Sequence, residues 1–215
     1  KPFRSDSVGK PLDGVTLELR NEDPDTSVGE VWVKSRTVMM GYLDAPETVV
    51  AEILDGELFT FARPARPHTR SASRLGMKVG SAFDLGDSGP GGWVILDEPE
   101  LQLGPRPDKL IPDLAGWKRE RMPDALGDEQ TPTFHDDAPD WVCEVISPST
   151  ERIDRSKKMR IYRREGVGHL WLLTPLLQTL EVYRLEGAHW VLLETYEGEA
   201  KVRAEPFEAM ELDLS

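Results

Sequence analysis

The sequence predicts an α+β fold, close to α/β in layout: a mixed central β-sheet flanked by helices, with a short β-hairpin extension at the N-terminus. Three observations predict it. Strand-like and helix-like patterns follow one another as strands, helix, strand cluster, helix, strands. The most apolar strand pattern, Trp141–Ser147, runs directly into the helix-start residues Pro148-Ser149-Thr150. The length, 215 residues, suits one domain of ~100–200 residues with a short extension.

Each element has a local reason. Val15–Arg20 and Glu30–Ser35 alternate apolar and polar residues and read as strands. Between them Asn21–Ser27, with Asp23-Pro24-Asp25, carries turn chemistry. This piece has too little apolar mass to offset its own ordering entropy. Val49–Phe61 reads as a strand or hairpin across Asp55-Gly56. Pro67–Lys78 reads as a helix, with His68, Ser71, Leu75 and Val79 at helical spacing. A glycine-rich loop, Gly86–Gly92, follows.

Gly92–Leu96 and Glu100–Leu103 are expected to pair antiparallel across Asp97–Pro99. Lys109–Lys118 reads as one strand carrying Pro112-Asp113, and Met122–Ala138 as a polar loop with a short helix. Beyond Trp141–Ser147 a helix is expected over Glu151–Glu165, capped by Pro148-Ser149-Thr150. His169–Leu173, Thr179–Leu185 and Trp190–Tyr196 complete the chain as three strands with hairpin turns. The boundary between extension and domain falls at residues 46 and 47, giving units 1–46 and 47–215.

Composition narrows the function classes. Apolar residues make up 39% and charged residues 30%, which fits a globular chain rather than a disordered one. Asp plus Glu outnumber Lys plus Arg by 39 to 26, a net charge of −13. Loose whole-surface binding to nucleic acid is disfavoured, so any DNA contact needs a local basic patch. The single cysteine, Cys143, allows neither an internal disulfide nor a cysteine-based zinc site. No apolar run approaches the ~20 residues of a membrane helix. With no signal-peptide pattern at Lys1-Pro2-Phe3-Arg4, the expected location is the cytoplasm.

Two carboxylates stand out. Asp113 follows Pro112 in an otherwise apolar strand, and Glu144 interrupts Trp-Val-Cys-Glu-Val-Ile. A carboxylate in a buried strand is costly unless a metal or partner satisfies it. Two of them on neighbouring strands could hold a hard cation such as Mg²⁺; the alternative is that each faces solvent at a strand end. The following helix carries seven cations over residues 151–165 (Arg152, Arg155, Lys157, Lys158, Arg160, Arg163, Arg164) against Glu151, Asp154 and Glu165. It reads either as a phosphate-facing surface, through Arg155, Lys157 and Arg160, or as a solvated face with pairs such as Asp154 with Lys158.

These residues carry a resemblance. The runs Asp55-Gly56-Glu57-Leu58, Gly91-Gly92-Trp93-Val94-Ile95 and Ile111-Pro112-Asp113 resemble the Uma family of restriction-endonuclease-like proteins. So do Cys143 to Thr150, Asp154 through Lys158 to Tyr162, and Gly166-Val167 leading to Trp171-Leu172. The resemblance spans about residue 46 to the C-terminus and implies a branch of the PD-(D/E)XK nuclease superfamily. It implies a mixed sheet flanked by helices, a metal-dependent endonuclease acting on DNA, and Mg²⁺ or Mn²⁺ as cofactor. By the same resemblance Asp113 and Glu144 are the metal-binding acids, with the Val145 carbonyl as a further oxygen and Glu52 as an auxiliary ligand. The usual lysine position, two residues after the second acid, holds Ile146, and Lys158 on the next helix matches the lysine that replaces it. His68 matches a family histidine, and Thr174 stands where the family often has Asp. A homodimer is a further expectation of this resemblance.

The first segment resembles something else. Ser7 to Val15, Gly29 to Lys34 and Val38-Met39-Met40-Gly41-Tyr42 look like a late β-subdomain piece of adenylate-forming enzymes, the acyl-CoA ligases and relatives. The phosphate loop of those enzymes and their ribose-binding Thr-Gly-Asp are absent, so adenylation is not expected. Three functions remain: a metal-dependent DNA endonuclease, a catalytically inactive nuclease-fold protein that binds nucleic acid or a protein partner, or a remnant with no activity of its own.

Overall fold

A computed structural model describes residues 49–62, 65–87, 89–105, 107–122 and 134–214, together with the backbone of two strands at 15–20 and 30–35. Those strands, β1 (Val15–Arg20) and β2 (Glu30–Ser35), pair antiparallel from Val15 opposite Ser35 to Arg20 opposite Glu30. The turn expected between them lies outside the described residues, as does most of the 122–138 loop. The chain divides into two compact units, Lys1–Val49 and Val50–Ser215. Deleting residues 1–40 is expected to leave the melting temperature of the remainder within about 2 °C of the full chain, a shift that in a domain of this size corresponds to a loss of about 1 kcal/mol or less. A drop of ten degrees in thermal unfolding would show that the segment stabilises the rest.

A hairpin begins at the boundary of the second unit, β3 (Val49–Leu54) and β4 (Glu57–Ala62). Asp55 and Gly56 both have positive φ, 54° and 78°, as a two-residue turn matching strand twist requires. Helix α1 (Arg66–Val79) follows, with Pro67 in its first turn, and runs into a π-helical turn at Gly80–Asp84. Strands β5 (Trp93–Asp97), β6 (Glu100–Leu103), β7 (Asp108–Leu110), β8 (Leu114–Lys118), β9 (Phe134–His135) and β10 (Trp141–Val145) come next. A helical stretch then comprises α2 (Glu151–Ile153), a π-helical turn Asp154–Lys158, and α3 (Met159–Arg164). The chain ends with β11 (His169–Thr174), β12 (Thr179–Glu186), β13 (His189–Glu197), β14 (Lys201–Val202) and β15 (Leu212–Asp213).

The central sheet has the order β13-β12-β11-β10-β8-β5. It is mixed: β10 runs parallel to β11 and antiparallel to β8. A parallel neighbour needs a crossover, and the α2–α3 stretch supplies it. A second sheet has the order β4-β3-β7-β6-β9.

Two expectations about strands are corrected. Strands β5 and β6 do not pair with each other: β5 joins β8 in the central sheet, and β6 joins β7 and β9 in the second. The stretch 109–118 is two strands in two sheets. Pro112 has no N–H for a ladder, and the Ile111 N–H is bonded to Glu52 Oε1 at 2.8 Å instead. The chain therefore leaves the second sheet at Leu110 and enters the central one at Leu114, with Asp113 at the crossing.

Side chains of the central strands alternate between two cores. Trp141, Cys143 and Trp171 face α1 and the C-terminal segment, together with Leu75, Val79, Trp93 and Phe207. Phe207 packs its ring 4.5 to 5.6 Å, centre to centre, from Phe83, Trp141, Trp93 and Trp171, tying the C-terminal segment to the sheet. Val142, Leu170 and Leu172 face the other way, onto Ile153, Ile161 and Tyr162 of the crossover and Leu54, Leu101 and Leu110 of the second sheet. Glu144 shares this second face.

Candidate functional site

The site forms where β8 begins and β10 ends. Glu144 lies in a strand whose residues are all buried. Its face of the sheet is covered by the crossover helix, so its partners must come from there. Lys158 places its Nζ 3.2 Å from Glu144 Oε1, 3.0 Å from Glu52 Oε1 and 3.6 Å from Asp154 Oδ1. The Tyr162 hydroxyl donates to Glu144 Oε1 at 2.5 Å. Asp154, Lys158 and Tyr162 are spaced by four residues and so share one face of the helical stretch. Asp154 and Lys158 both sit in its π-helical turn, a distortion that often marks functional positions.

The helix is held in place at both ends. At its start the expected side-chain cap is not formed: Thr150 makes no capping bond, and the Ser147 carbonyl accepts from the N–H groups of Thr150 and Glu151. The Ser147 hydroxyl instead meets those of Ser149 and Thr150, both at 3.0 Å. At its end Gly166, with φ of 82°, closes a Schellman motif. Val167 N–H bonds the Tyr162 carbonyl and Gly166 N–H bonds that of Arg163. The Gly-Val pair after the helix thereby fixes the turn that carries Tyr162.

Glu52, Glu144, Asp154 and Lys158 are 1%, 3%, 3% and 6% exposed, so three carboxylates face one ammonium away from water. Burial pushes the Glu144 carboxyl well above the usual range, against the pull of Lys158. Burial alone would lower Lys158, but Glu144, Glu52 and Asp154 overcome it and hold the ammonium well above an ordinary lysine. Burial, and then Glu144, also push the Tyr162 phenol up.

Asp113 lies just before β8, at the end of β10. Its Oδ2 accepts the Val145 N–H at 2.7 Å, tying it to the residue after Glu144. Its Oδ1 is 3.4 Å from His68 Nε2 of α1, and both side chains are only slightly exposed. Burial raises the Asp113 pKa, opposed by His68, the Val145 N–H and Lys158. Asp113 sits at the strand end beside Glu144, and the two acids feel each other's charge.

The carboxylates could hold a hard cation. Among the described residues no three His, Cys, Asp or Glu side chains converge as a preformed metal cage. Mg²⁺ needs no such cage, since it is commonly held by one or two carboxylates with water and substrate phosphate. The donors here are all oxygen, and acids outnumber cations in the cluster. The buried Glu52 Oε2 has no hydrogen-bond partner among the described residues. The residues therefore fit a divalent cation in chemistry and charge.

Glu52, Glu144 and Lys158 are in contact, with Asp113 beside them. Ile146, by contrast, is buried in the apolar core facing the helix. Thr174 is buried at the end of β11, its hydroxyl unpartnered among the described residues. Arg155, Lys157 and Arg160 do not form one open track. Arg155 pairs with Glu151 at 3.0 Å and with Glu181 at 2.6 Å. Lys157 pairs with Glu57 at 2.9 Å, and Arg160 pairs with Asp55. Sequence reasoning gave Tyr162 no role at Glu144; its four-residue spacing from Lys158 is the signal that would have found it.

Three comparisons bear on this arrangement. The family model Uma2, described as "Putative restriction endonuclease", matches residues 41–215. A solved structure of a putative nuclease belonging to DUF820 from Anabaena variabilis ATCC 29413 is similar, with a TM-score of 0.63. It is 22% identical, over 80% of this chain and 92% of that one, and the likeness concerns the fold. A short stretch of 42 residues is 48% identical to a 2-succinylbenzoate–CoA ligase of Lactococcus lactis subsp. lactis (strain IL1403). It covers 20% of this chain and only 9% of that enzyme.

Proposed function

Since the chain belongs to the Uma2 family of putative restriction endonucleases, we propose that it is a metal-dependent endonuclease that hydrolyses phosphodiester bonds of DNA. The observation that carries this reading is the buried Glu144–Lys158–Glu52 contact beside Asp113, at the ends of neighbouring strands. Asp113 and Glu144 would hold Mg²⁺ or Mn²⁺, with Glu52 as an auxiliary ligand. When bound, the metal supplies Lewis-acid polarisation of the phosphate and acidification of water.

The chain's own groups do the rest. Lys158 and Tyr162 fix the Glu144 carboxylate in one orientation, as supporting hydrogen bonds do around metal ligands. The Val145 N–H and His68 do the same for Asp113. The Lys158 ammonium also offsets negative charge growing on the phosphate, the work that the residue at Ile146 cannot do. Ile146 and the full engagement of the Glu144 oxygens favour a second reading, a nuclease-fold protein that binds nucleic acid or a protein partner without cutting.

Cleavage assays separate the two. Supercoiled plasmid and single-stranded DNA are incubated with the full chain and Mg²⁺ or Mn²⁺, beside an EDTA control and Asp113→Ala. The expected result is metal-dependent cleavage by the wild type, reduced roughly 100-fold or more in the variant. Equal activity with EDTA, or in folded Asp113→Ala, would overturn the assignment. Inactivity of the folded wild type in both metals would favour the binding protein.

A further inference from the structure

The cations expected to track DNA on the α2–α3 stretch are engaged by carboxylates, as described above. Helix α1 also carries cations. Its fourteen residues include Arg66, Arg70, Arg74 and Lys78 and no acid. In a chain of net charge −13 this is a local reversal of sign. The four-residue spacing sets these cations in one stripe that drifts about 40° per step. Arg66, Arg70 and Arg74 are exposed, and Lys78 donates to the Asp213 carbonyl at 2.8 Å. Leu75 and Val79 are buried on the other face, and His68 on that face reaches Asp113. One helix therefore orients an acid of the site with its inner face and presents cations with its outer face.

The stripe also borders a cavity of about 220 Å³, whose wall includes Leu173, Pro175 and Gln178 at the end of β11. Leu173 is opposite Val145 in the sheet, and Val145 N–H bonds Asp113. Cavity wall and acids meet at the same strand ends.

We propose that α1 is the surface on which the sugar-phosphate backbone of DNA lies, with Arg66 and Arg70 meeting phosphates; this rests on the nuclease reading above. Contacts of that kind release counterions, so each is read as a salt dependence of about 0.9 in the slope of log affinity against log salt. The test is fluorescence anisotropy of a labelled duplex of about 30 base pairs with the full chain in EDTA, from about 50 to 200 mM salt. Arg66→Gln/Arg70→Gln is expected to flatten the slope by about 2, while Arg66→Lys/Arg70→Lys keeps it. Circular dichroism checks the fold of each variant. Wild-type binding with an unchanged slope in the glutamine variant would overturn the proposal and leave the nuclease reading standing. A loss confined to Lys157→Gln/Arg160→Gln would also overturn it, placing the backbone on the α2–α3 face. Failure of the wild type to bind with any salt dependence would overturn the nuclease reading and this proposal together.

Discussion

Glu144→Gln is expected to lose metal-dependent cleavage by roughly 100-fold or more, equivalent to about 2.7 kcal/mol of barrier, and to remain folded. The two halves of this expectation come from one environment. Glutamine keeps the shape of Glu144 and an oxygen to accept the Tyr162 hydroxyl. It removes one negative charge from a buried cluster in which three carboxylates face Lys158. Because burial already disfavours the charged form of Glu144, a neutral isostere at that position costs the fold little. Metal binding has the opposite requirement, since a neutral amide is a poor ligand for a hard divalent cation. Initial rates of plasmid nicking at saturating Mg²⁺ or Mn²⁺, with thermal unfolding of the same samples, check both halves. Cleavage within about threefold of wild type would remove Glu144 from the site, being far short of the several kcal/mol that metal-ion catalysis supplies.

The strand content of this fold was legible, but the sheet membership was not. Asp97-Glu98-Pro99 reads as a turn and the chain does bend at Glu98, yet turn chemistry says only that the chain changes direction. Whether the next strand returns beside the last depends on partners far away in sequence. For β5 that partner is β8, and for β6 it is β7 and β9. The break at residues 111–113 was hidden for the same reason. Pro112 hinted at it, but the bond from Ile111 N–H to Glu52 spans fifty-nine residues and has no local signature.

The candidate site divides in the same way. Glu144 could be singled out because an acid in an apolar strand breaks the local pattern. Its partnership with Lys158 and Glu52 needed a family resemblance or three dimensions. The positive charge of the crossover helix could be counted in the sequence. Counting does not show that Glu57, Asp55 and Glu181 come from other elements to pair with Lys157, Arg160 and Arg155. Fewer cations lie on α1, and the helix itself carries no acid.

Lys158→Met is expected to destabilise the chain by about 3 kcal/mol at neutral pH, at the lower end of the ~3–5 kcal/mol seen when one partner of a buried ion pair is removed. Methionine retains a flexible apolar stem, so the packing loss is small. The main cost is electrostatic: Glu52, Glu144 and Asp154 stay buried with no ammonium among them. Uptake of a proton limits that cost, because a buried carboxyl neutralises rather than bearing the full penalty of an unpaired charge. A purely local role for the lysine would make its effect independent of Glu144. The cluster predicts otherwise. Adding Glu144→Gln to Lys158→Met should restore at least about 1 kcal/mol, a coupling within the ~0.5–3 kcal/mol range of residues in contact. Urea unfolding of the four members of this cycle measures it. Strict additivity would mean that Lys158 does not hold the carboxylates together, and its role at the phosphate would lose its structural basis.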